Sequence, residues 1–423
     1  MTDTVSGASG ASGASGASGA PGASDPSDAA GAVRPPADPG AGGFTEALAE
    51  ATAVASLAPS SHNCQPWALA RLTGERARAA ARLFAGAGHR TGTAGDGTET
   101  LALAMDRTRT IGALAAHDVE MRVSCGAYWQ LLLSALAAQG WHPEGIEYPA
   151  TDGEGRRLAG DRWPETWSLL GVARVRRTGD GDGSLRRLRE TAAARRTNRG
   201  PYRASGIGTD VLAELTGPSA GAAAGAPVAV THLRGETERR AFGDFVARHG
   251  GRDFSHDAAW RETFAYLRPN ASAAALRGDG FTLEQLFGPM SAARHHLLRT
   301  ALAPRTMRVL RFAGYPRLLA SQLAAIVRRT PAVTVMHFLA DEPSGADMVR
   351  AGARLADYWL RATHAGLALH PVSVVVQHDD VRAALAERFG LRGRVFFVAR
   401  LGHPTARFPA TPRHREAAAH LRL

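Results

Sequence analysis

The stretch Ala58-Pro-Ser-Ser-His-Asn-Cys-Gln-Pro-Trp67 constrains this chain more than any other. It follows an apolar helical run, Phe44 to Leu57, and leads into Ala68–Leu72, which reads as a strand. Pro59 and Pro66 fix their own φ and push the residue before each of them out of the helical region. Between them lie two small hydroxyls (Ser60, Ser61) and two carboxamides (Asn63, Gln65), neutral groups able both to donate and to accept hydrogen bonds. That set suits a planar, uncharged heterocycle carrying carbonyl oxygens and ring nitrogens. It suits a phosphate or a metal ion poorly.

Composition removes several alternatives. The chain has 423 residues, enough for two domains or one large one with an ample core. It contains no lysine, so all 50 basic residues are arginine. Lysine Schiff-base chemistry and a phosphate-binding P-loop are therefore excluded. The net charge of +11 raises the question of nucleic acid, but the arginines are spread along the chain and aromatic residues make up only 6%. Alanine, glycine and arginine are inflated together, as a GC-rich coding bias produces, and no nucleic-acid partner is expected. Cys64 and Cys125 form no CxxC pair. With no signal-like start and no run of 18 apolar residues, the expectation is a soluble, cytoplasmic protein with reduced thiols and no membrane partner.

Residues 1–43, a Ser-Gly-Ala repeat passing into a Pro/Ala/Asp/Gly tract, read as disordered, with folded structure beginning near Phe44. Strands are expected at Thr98–Met105, Trp167–Val175, Thr334–Ala340 and Val395–Leu401. Two long helices are expected, one from an Asp118 N-cap to Gly140 and one from about Ser344 to Gly366. The second carries Met348, Gly352, Leu355, Trp359 and Ala362 at helical spacing. Gly126–Gly140 and Gly352–Gly366 are matching glycine pairs in these helices, and each helix has a tryptophan in its middle. Order and spacing together argue for internal duplication of one α+β unit. The expected division is a first lobe at 44–180 and a second at 181–423, with a helical insertion at about 235–330 that could serve as a lid or as a plain surface elaboration. Gly217–Gly221 matches GxSxG formally, but no strand precedes it, so no nucleophile is assigned there. His295 and His296 lack metal-ligand spacing, and no metal site is expected.

A second chemical motif, Arg195-Arg-Thr-Asn-Arg199, follows a helix candidate at Ser184–Ala194. Guanidinium forks pair bidentately with phosphate oxygens, and a threonine hydroxyl adds a neutral hydrogen bond. The first motif resembles the PSxxNxQPW signature of the nitroreductase superfamily, and the second resembles that family's R-x-[ST]-x-R phosphate grip. Cys64 stands where the first pattern usually has threonine. The branch most similar is the Acg type, in which two nitroreductase units are fused in one chain. The resemblance spans residues 45–200 well, about 330–415 moderately, and 235–330 hardly at all.

The resemblance implies an α+β, nitroreductase-like fold: two tandem lobes forming a single-chain pseudo-dimer, each a small mostly antiparallel sheet packed with helices. It implies FMN as cofactor and NAD(P)H as electron donor, with electrons passing through flavin N5 to a small organic acceptor and no dedicated catalytic side chain. Carried over residue by residue, the cofactor contacts would be Pro59, Ser60, Ser61, Asn63, Gln65 and Trp67 from the first motif. Arg195, Thr197 and Arg199 would come from the second, and Gly366, Leu367 and Arg413 from the C-terminal part, with Arg415 as runner-up to Arg413. Each half retains one motif, so a single composite site between the lobes is expected, with its pseudo-symmetric counterpart degenerate. A monomer or weak homodimer is expected. Flavin binding without turnover, or a flavin-dependent dehydrogenase or oxidase, are the alternatives.

Overall fold

The structure is a computed structural model that describes residues 39–84, 97–149, 154–217, 219, 221–414 and 420–423. The expectations for residues 1–38 and for Arg415 lie outside the described residues. Helix α1 (Pro39–Ala55) starts earlier than Phe44, on a proline whose missing N–H costs nothing at a first helical position. A 3₁₀ turn (Ser61–Asn63) leads to β1 (Trp67–Arg71). Then come α2 (Glu75–Phe84), β2 (Thr98–Asp106), α3 (Ala116–Ala137), β3 (Trp141–Glu147), α4 (Gly155–Ala159) and β4 (Trp167–Arg177). Asp118 is not the N-cap of α3. The helix begins two residues earlier, because Ala115 and Ala116 are good helix formers. Asp118 instead sits in the first turn and pairs with Arg122 one turn on.

After α5 (Leu185–Ala194) and α6 (Thr209–Thr216), a further 3₁₀ turn (Gly221–Ala223) leads to β5 (Val228–Leu233). The segment before the next strand carries eight helices. They are α7 (Glu236–His249), α8 (Gly251–Ser255), α9 (Asp257–Ala265), α10 (Ala271–Arg277), α11 (Leu283–Phe287), α12 (Ala292–Ala301), α13 (Pro304–Leu310) and α14 (Tyr315–Arg328). The chain closes with β6 (Ala332–Phe338), α15 (Gly345–His364), β7 (Ala368–Pro371), α16 (Asp379–Arg388), β8 (Val395–Gly402) and a short β9 (Leu421–Arg422). Ser344 caps α15, its Oγ accepting from the Asp347 N–H at 3.2 Å.

Two sheets result, ordered β3-β4-β2-β1-β9 and β5-β6-β8-β7. Setting β1, β2, β3 and β4 against β5, β6, β7 and β8 gives the same antiparallel order in both. The matching pairs β2–β4 and β6–β8 each carry a register shift, at Leu103/Ala104 and at Met336/His337. Strand β9 adds to the first sheet only, parallel to β1. The element order helix, 3₁₀ turn, strand occurs as α1–β1 and again as α6–β5, so residues 217–227 occupy the place that the Pro59–Trp67 loop holds in the first half.

Helices α3 and α15 cross at the two glycines that the sequence aligns. A Cβ on Gly126 would lie 1.9 Å from the Val349 carbonyl oxygen, and one on Gly352 would lie 2.0 Å from that of Val123. The contact is reciprocal, each glycine meeting the residue three positions before the other. Trp129 and Tyr128 of α3 and Tyr358 and Trp359 of α15 are buried beside this crossing. The two cores meet across one backbone-to-backbone approach that only glycine permits.

Candidate functional site

The Pro59–Trp67 loop is strained. His62, Asn63 and Gln65 have φ of +50°, +52° and +51°, and among the described residues no other non-glycine residue has positive φ. Each such residue costs about 1–2 kcal/mol, so surrounding contacts must over-determine the shape. They do. Ser60 Oγ accepts from the Gln65 N–H at 3.1 Å, and the Ser61 N–H donates to Ser124 Oγ of α3 at 3.2 Å. Ser61 Oγ donates to Glu120 at 2.5 Å and lies 3.0 Å from His62 Nδ1.

The carboxamides are held mainly by distant backbone and by Arg413. Asn63 Nδ2 donates to the carbonyls of Gly280 at 3.0 Å and Pro412 at 2.9 Å, while its Oδ1 accepts from Arg413 at 3.1 Å. Gln65 Nε2 donates to the Gly278 carbonyl at 2.7 Å, and its Oε1 accepts from the His414 N–H at 3.2 Å. The loop is thus clasped by the Gly278–Gly280 turn of the helical segment and by the C-terminal tail. The segment is tied down in the loop before α3 as well, where Glu262 accepts from the N–H groups of Gly112 and Ala113, both at 2.9 Å.

His62 sits beneath this clasp, its Nε2 3.0 Å from Thr263 Oγ1 and its ring near Tyr266 and Phe281. Burial, followed by the neighbouring His117 and Arg199, pushes its imidazole down to about 3. The unfolded chain binds this proton from pH 6.5 downward. The stabilisation is therefore complete above pH 6.5 and is lost as pH falls toward 3. At pH 5, His62→Gln should relieve up to about 2 kcal/mol of acid destabilisation, read as the difference between urea denaturation at pH 7.5 and pH 5.

Cys64 is buried with its Sγ 3.6 Å from Met121 Sδ, and burial pushes its thiol, like that of Cys125, far above the usual range. Neither thiol should react with a disulfide reagent at pH 8 until denaturant is added. Prompt reaction of one equivalent in the folded protein would overturn that reading.

Beside the loop lies a cavity of about 270 Å³ lined by Leu57, by Arg195, Arg196, Thr197 and Arg199, and by Gln285 and the tail residues Pro409–Thr411 and Arg413. The arginines hydrogen-bond only to neutral groups. Arg195 donates to the Leu57 carbonyl at 3.0 Å, Arg199 to that of Gln285 at 3.1 Å, and Arg413 to those of Ala58 and Leu57, both at 3.2 Å. The Arg195 guanidinium lies 4.8 Å from the Trp359 ring centroid, and its buried Nε has no hydrogen-bond partner. Burial, then the charges of Arg413 and Arg196, holds Arg195 well below the usual guanidinium range; burial brings Arg199 and Arg413 down to about 10. Among the described residues no carboxylate stands against this cluster. Buried cations without a counter-ion are costly, and an anion with several acceptor oxygens is the group that relieves them. A phosphate monoester fits that requirement.

Of the expected site residues, the structure brings Arg195, Thr197, Arg199 and Arg413 together on this cavity, with Asn63 joined to it through Arg413. Pro59, Ser60, Ser61 and Gln65 do not line it. Trp67 is core, stacked on Tyr128 with ring centroids 5.1 Å apart. Gly366 and Leu367 do not line it either; they lead into β7, where Leu369 pairs with Thr197. Gln285 was not anticipated. It hydrogen-bonds the Ala410 carbonyl at 2.6 Å while its own carbonyl holds Arg199, and the Thr282-x-x-Gln285 capping box is its one sequence signal. Among the described residues no cluster of three or more His, Cys, Asp or Glu is arranged to hold a metal ion.

No family model matches the chain. A protein of Serratia sp. (strain ATCC 39006) described as "Probable NAD(P)H nitroreductase PigM" is 30% identical over 379 residues, spanning 88% of this chain and 92% of its own. Among solved structures, the FMN and NADPH-dependent nitroreductase NfnB from Sphigopyxis sp. strain HMH matches at 18% identity and a TM-score of 0.30, covering 54% of this chain and 94% of its own. The FMN-dependent nitroreductase NfnB from Mycobacterium smegmatis in complex with NADPH matches at 13% identity and a TM-score of 0.31, covering 53% and 95%. Neither score is high enough to support a shared overall fold by itself. The relation rests on the Serratia protein, whose 30% identity extends over 88% of this chain and 92% of its own. This chain belongs to the nitroreductase family.

Proposed function

We propose that the protein is an FMN-dependent oxidoreductase of nitroreductase type, taking electrons from NAD(P)H and passing them to a small organic acceptor. The observation that carries this reading is the cavity of one buried and three half-buried arginines with no carboxylate partner among the described residues, set against a strained loop rich in neutral hydrogen-bonding groups. Arg195, Arg199 and Arg413 would hold the phosphate, with the Thr197 hydroxyl as a neutral fourth contact. Asn63 and Gln65 would supply neutral donors to the polar edge of the ring, and in doing so would release the carbonyls of Gly278 and Gly280 that they hold here. Bound FMN itself supplies the electron transfer, so the chain needs to position and shield rather than to provide an acid or base.

The same geometry supports a single site per chain. In the second half, the place of the Pro59–Trp67 loop is taken by residues 217–227, which contain no carboxamide. The stretch is pinned to α15: Arg354 donates to the carbonyls of Leu215 and Gly217, and Ser219 donates to Asp357. One composite site would leave the chain free to act as a monomer or a weak homodimer.

One observation favours a second reading, flavin binding without turnover: the Gly278–Gly280 turn and the tail lie directly on the loop that would face the ring. The two readings separate in one anaerobic experiment on the FMN-loaded protein. Bleaching of the flavin absorbance by NADH or NADPH, restored by a quinone or nitroarene, is expected. A flavin that stays oxidised in excess NADH and NADPH supports sequestration, unless O₂ consumption with an organic substrate alone reveals an oxidase.

A further inference from the structure

Among the described residues, six large apolar side chains are more than half exposed. Five lie in the helical segment between β5 and β6: Phe312 at 81%, Leu276 at 76%, Val309 at 69%, Leu297 at 66% and Leu318 at 51%. Each of the five has a basic residue as its immediate sequence neighbour: Arg277, His296, Arg308, Arg311 and Arg317, in chain order. Residues 291–330 hold eight arginines and no aspartate or glutamate.

These residues are not left over from a poorly formed core. Helix α12 packs on α13, α13 on the 3₁₀ turn Arg311–Ala313, and that turn on α14. Leu302 and Met307 are buried beneath them, with Trp260 and Tyr315 packed alongside. The Arg311 guanidinium lies 4.8 Å from the Phe312 ring centroid, so cation and apolar group are presented as one unit. Arg308 and Arg328 pair with Asp257 and Asp244 of α9 and α7; among the described residues the other six arginines of this stretch form no ion pair, Arg311 acting on Asp257 only at longer range.

A protein–protein interface gathers its apolar groups in a charge-depleted centre with a polar rim. Here four of the five protruding apolar groups have an arginine beside them, and Leu297 has His296. That is the arrangement an anionic lipid surface selects, apolar tips entering the acyl boundary while guanidiniums stay at the phosphates. We propose that the exposed apolar and basic side chains of α12–α14, from Leu297 to Leu318, dock on an anionic membrane surface. The chain would lie on the membrane and not through it, since no helix among the described residues is long and apolar enough to cross one. The sequence expectation of no membrane partner rested on the lack of a spanning run, which does not bear on an interfacial face.

The test is flotation of the full chain with vesicles of phosphatidylcholine containing phosphatidylglycerol, against phosphatidylcholine alone, at about 0.1 M salt. Binding to the anionic vesicles only is expected. The variants Val309→Ser/Phe312→Ser and Arg305→Gln/Arg317→Gln should each weaken it about tenfold. Both pairs are on the surface, so urea midpoints should stay at the wild-type value. No binding to anionic vesicles overturns the proposal, as does binding that the Val309→Ser/Phe312→Ser variant leaves undiminished, which would be charge adsorption alone. A concentration-dependent dimer in sedimentation, lost in the same variant, would assign the face to a second copy of the chain. Binding only to an added acidic protein would assign it to a protein partner.

Discussion

Replacing Arg195 and Arg199 together by alanine is expected to give a folded protein that no longer retains FMN. Each guanidinium can offer charge-assisted hydrogen bonds to phosphate worth about 1.5–3 kcal/mol, so the pair should cost about 10²–10⁴ in affinity. The desolvation of these arginines, with no carboxylate partner among the described residues, makes a second, independent outcome available. In the ligand-free wild type, millimolar inorganic phosphate should raise the unfolding temperature by mass action, because it binds the folded state and relieves buried charge. The double variant should not respond. If phosphate stabilises both proteins equally, the anion binds elsewhere. If the variant retains flavin at wild-type affinity, the phosphate is not held by the Arg195–Arg199 motif.

Gly126→Ala and Gly352→Ala are each expected to destabilise by about 3 kcal/mol or more, the upper end of overpacking costs. The atom each Cβ meets is a backbone oxygen 1.9–2.0 Å away, and a backbone carbonyl in a facing helix cannot rotate aside. The two helices would have to separate. That separation also reaches the site, because α3 supplies Ser124 and Glu120 to the strained loop while α15 supplies Trp359 beneath Arg195. Flavin affinity should therefore fall in both variants although neither glycine touches the cavity. Because both substitutions force the same movement, the double variant should lose less than the sum of the two. Gly112→Ala is the control: its Cβ would meet nothing within 4 Å, and its urea midpoint should barely move. A cost under about 1 kcal/mol at Gly126 would mean that the helices are not in backbone contact.

Sequence and structure agree most closely where the signal is carried by residue type at fixed spacing. The loop's two prolines and carboxamides, the Arg195–Arg199 run, and the glycines at the α3–α15 crossing could all be read without coordinates. What could not be read is held by backbone atoms. The partners of Asn63 and Gln65 are the carbonyls of Gly278, Gly280 and Pro412, and a carbonyl looks the same in every residue. Left-handed φ at His62, Asn63 and Gln65 is likewise unannounced, since asparagine and histidine are enriched there but glutamine is not, and all three are far more often found at negative φ. The docking of the helical segment on the loop escaped for a related reason. Its helices are short, and amphipathicity says that a face is covered without saying by what. Strand β9 has two residues, too few for any periodicity, and Pro143 in β3 sits at a register shift, where a missing N–H costs little. Trp67 was assigned to the cofactor by resemblance, but its side chain points into the core because strand alternation and the stack on Tyr128 place it there.

The number of FMN molecules bound per folded chain tests the central claim most directly, measured by titration and by flavin absorbance after denaturation. One per chain, abolished by Arg195→Ala/Arg199→Ala, is the expected result. Two per chain would mean that residues 217–227 form a working counterpart of the Pro59–Trp67 loop. A chain that is folded by circular dichroism yet takes up no FMN would contradict the assignment of the arginine cavity to a flavin phosphate.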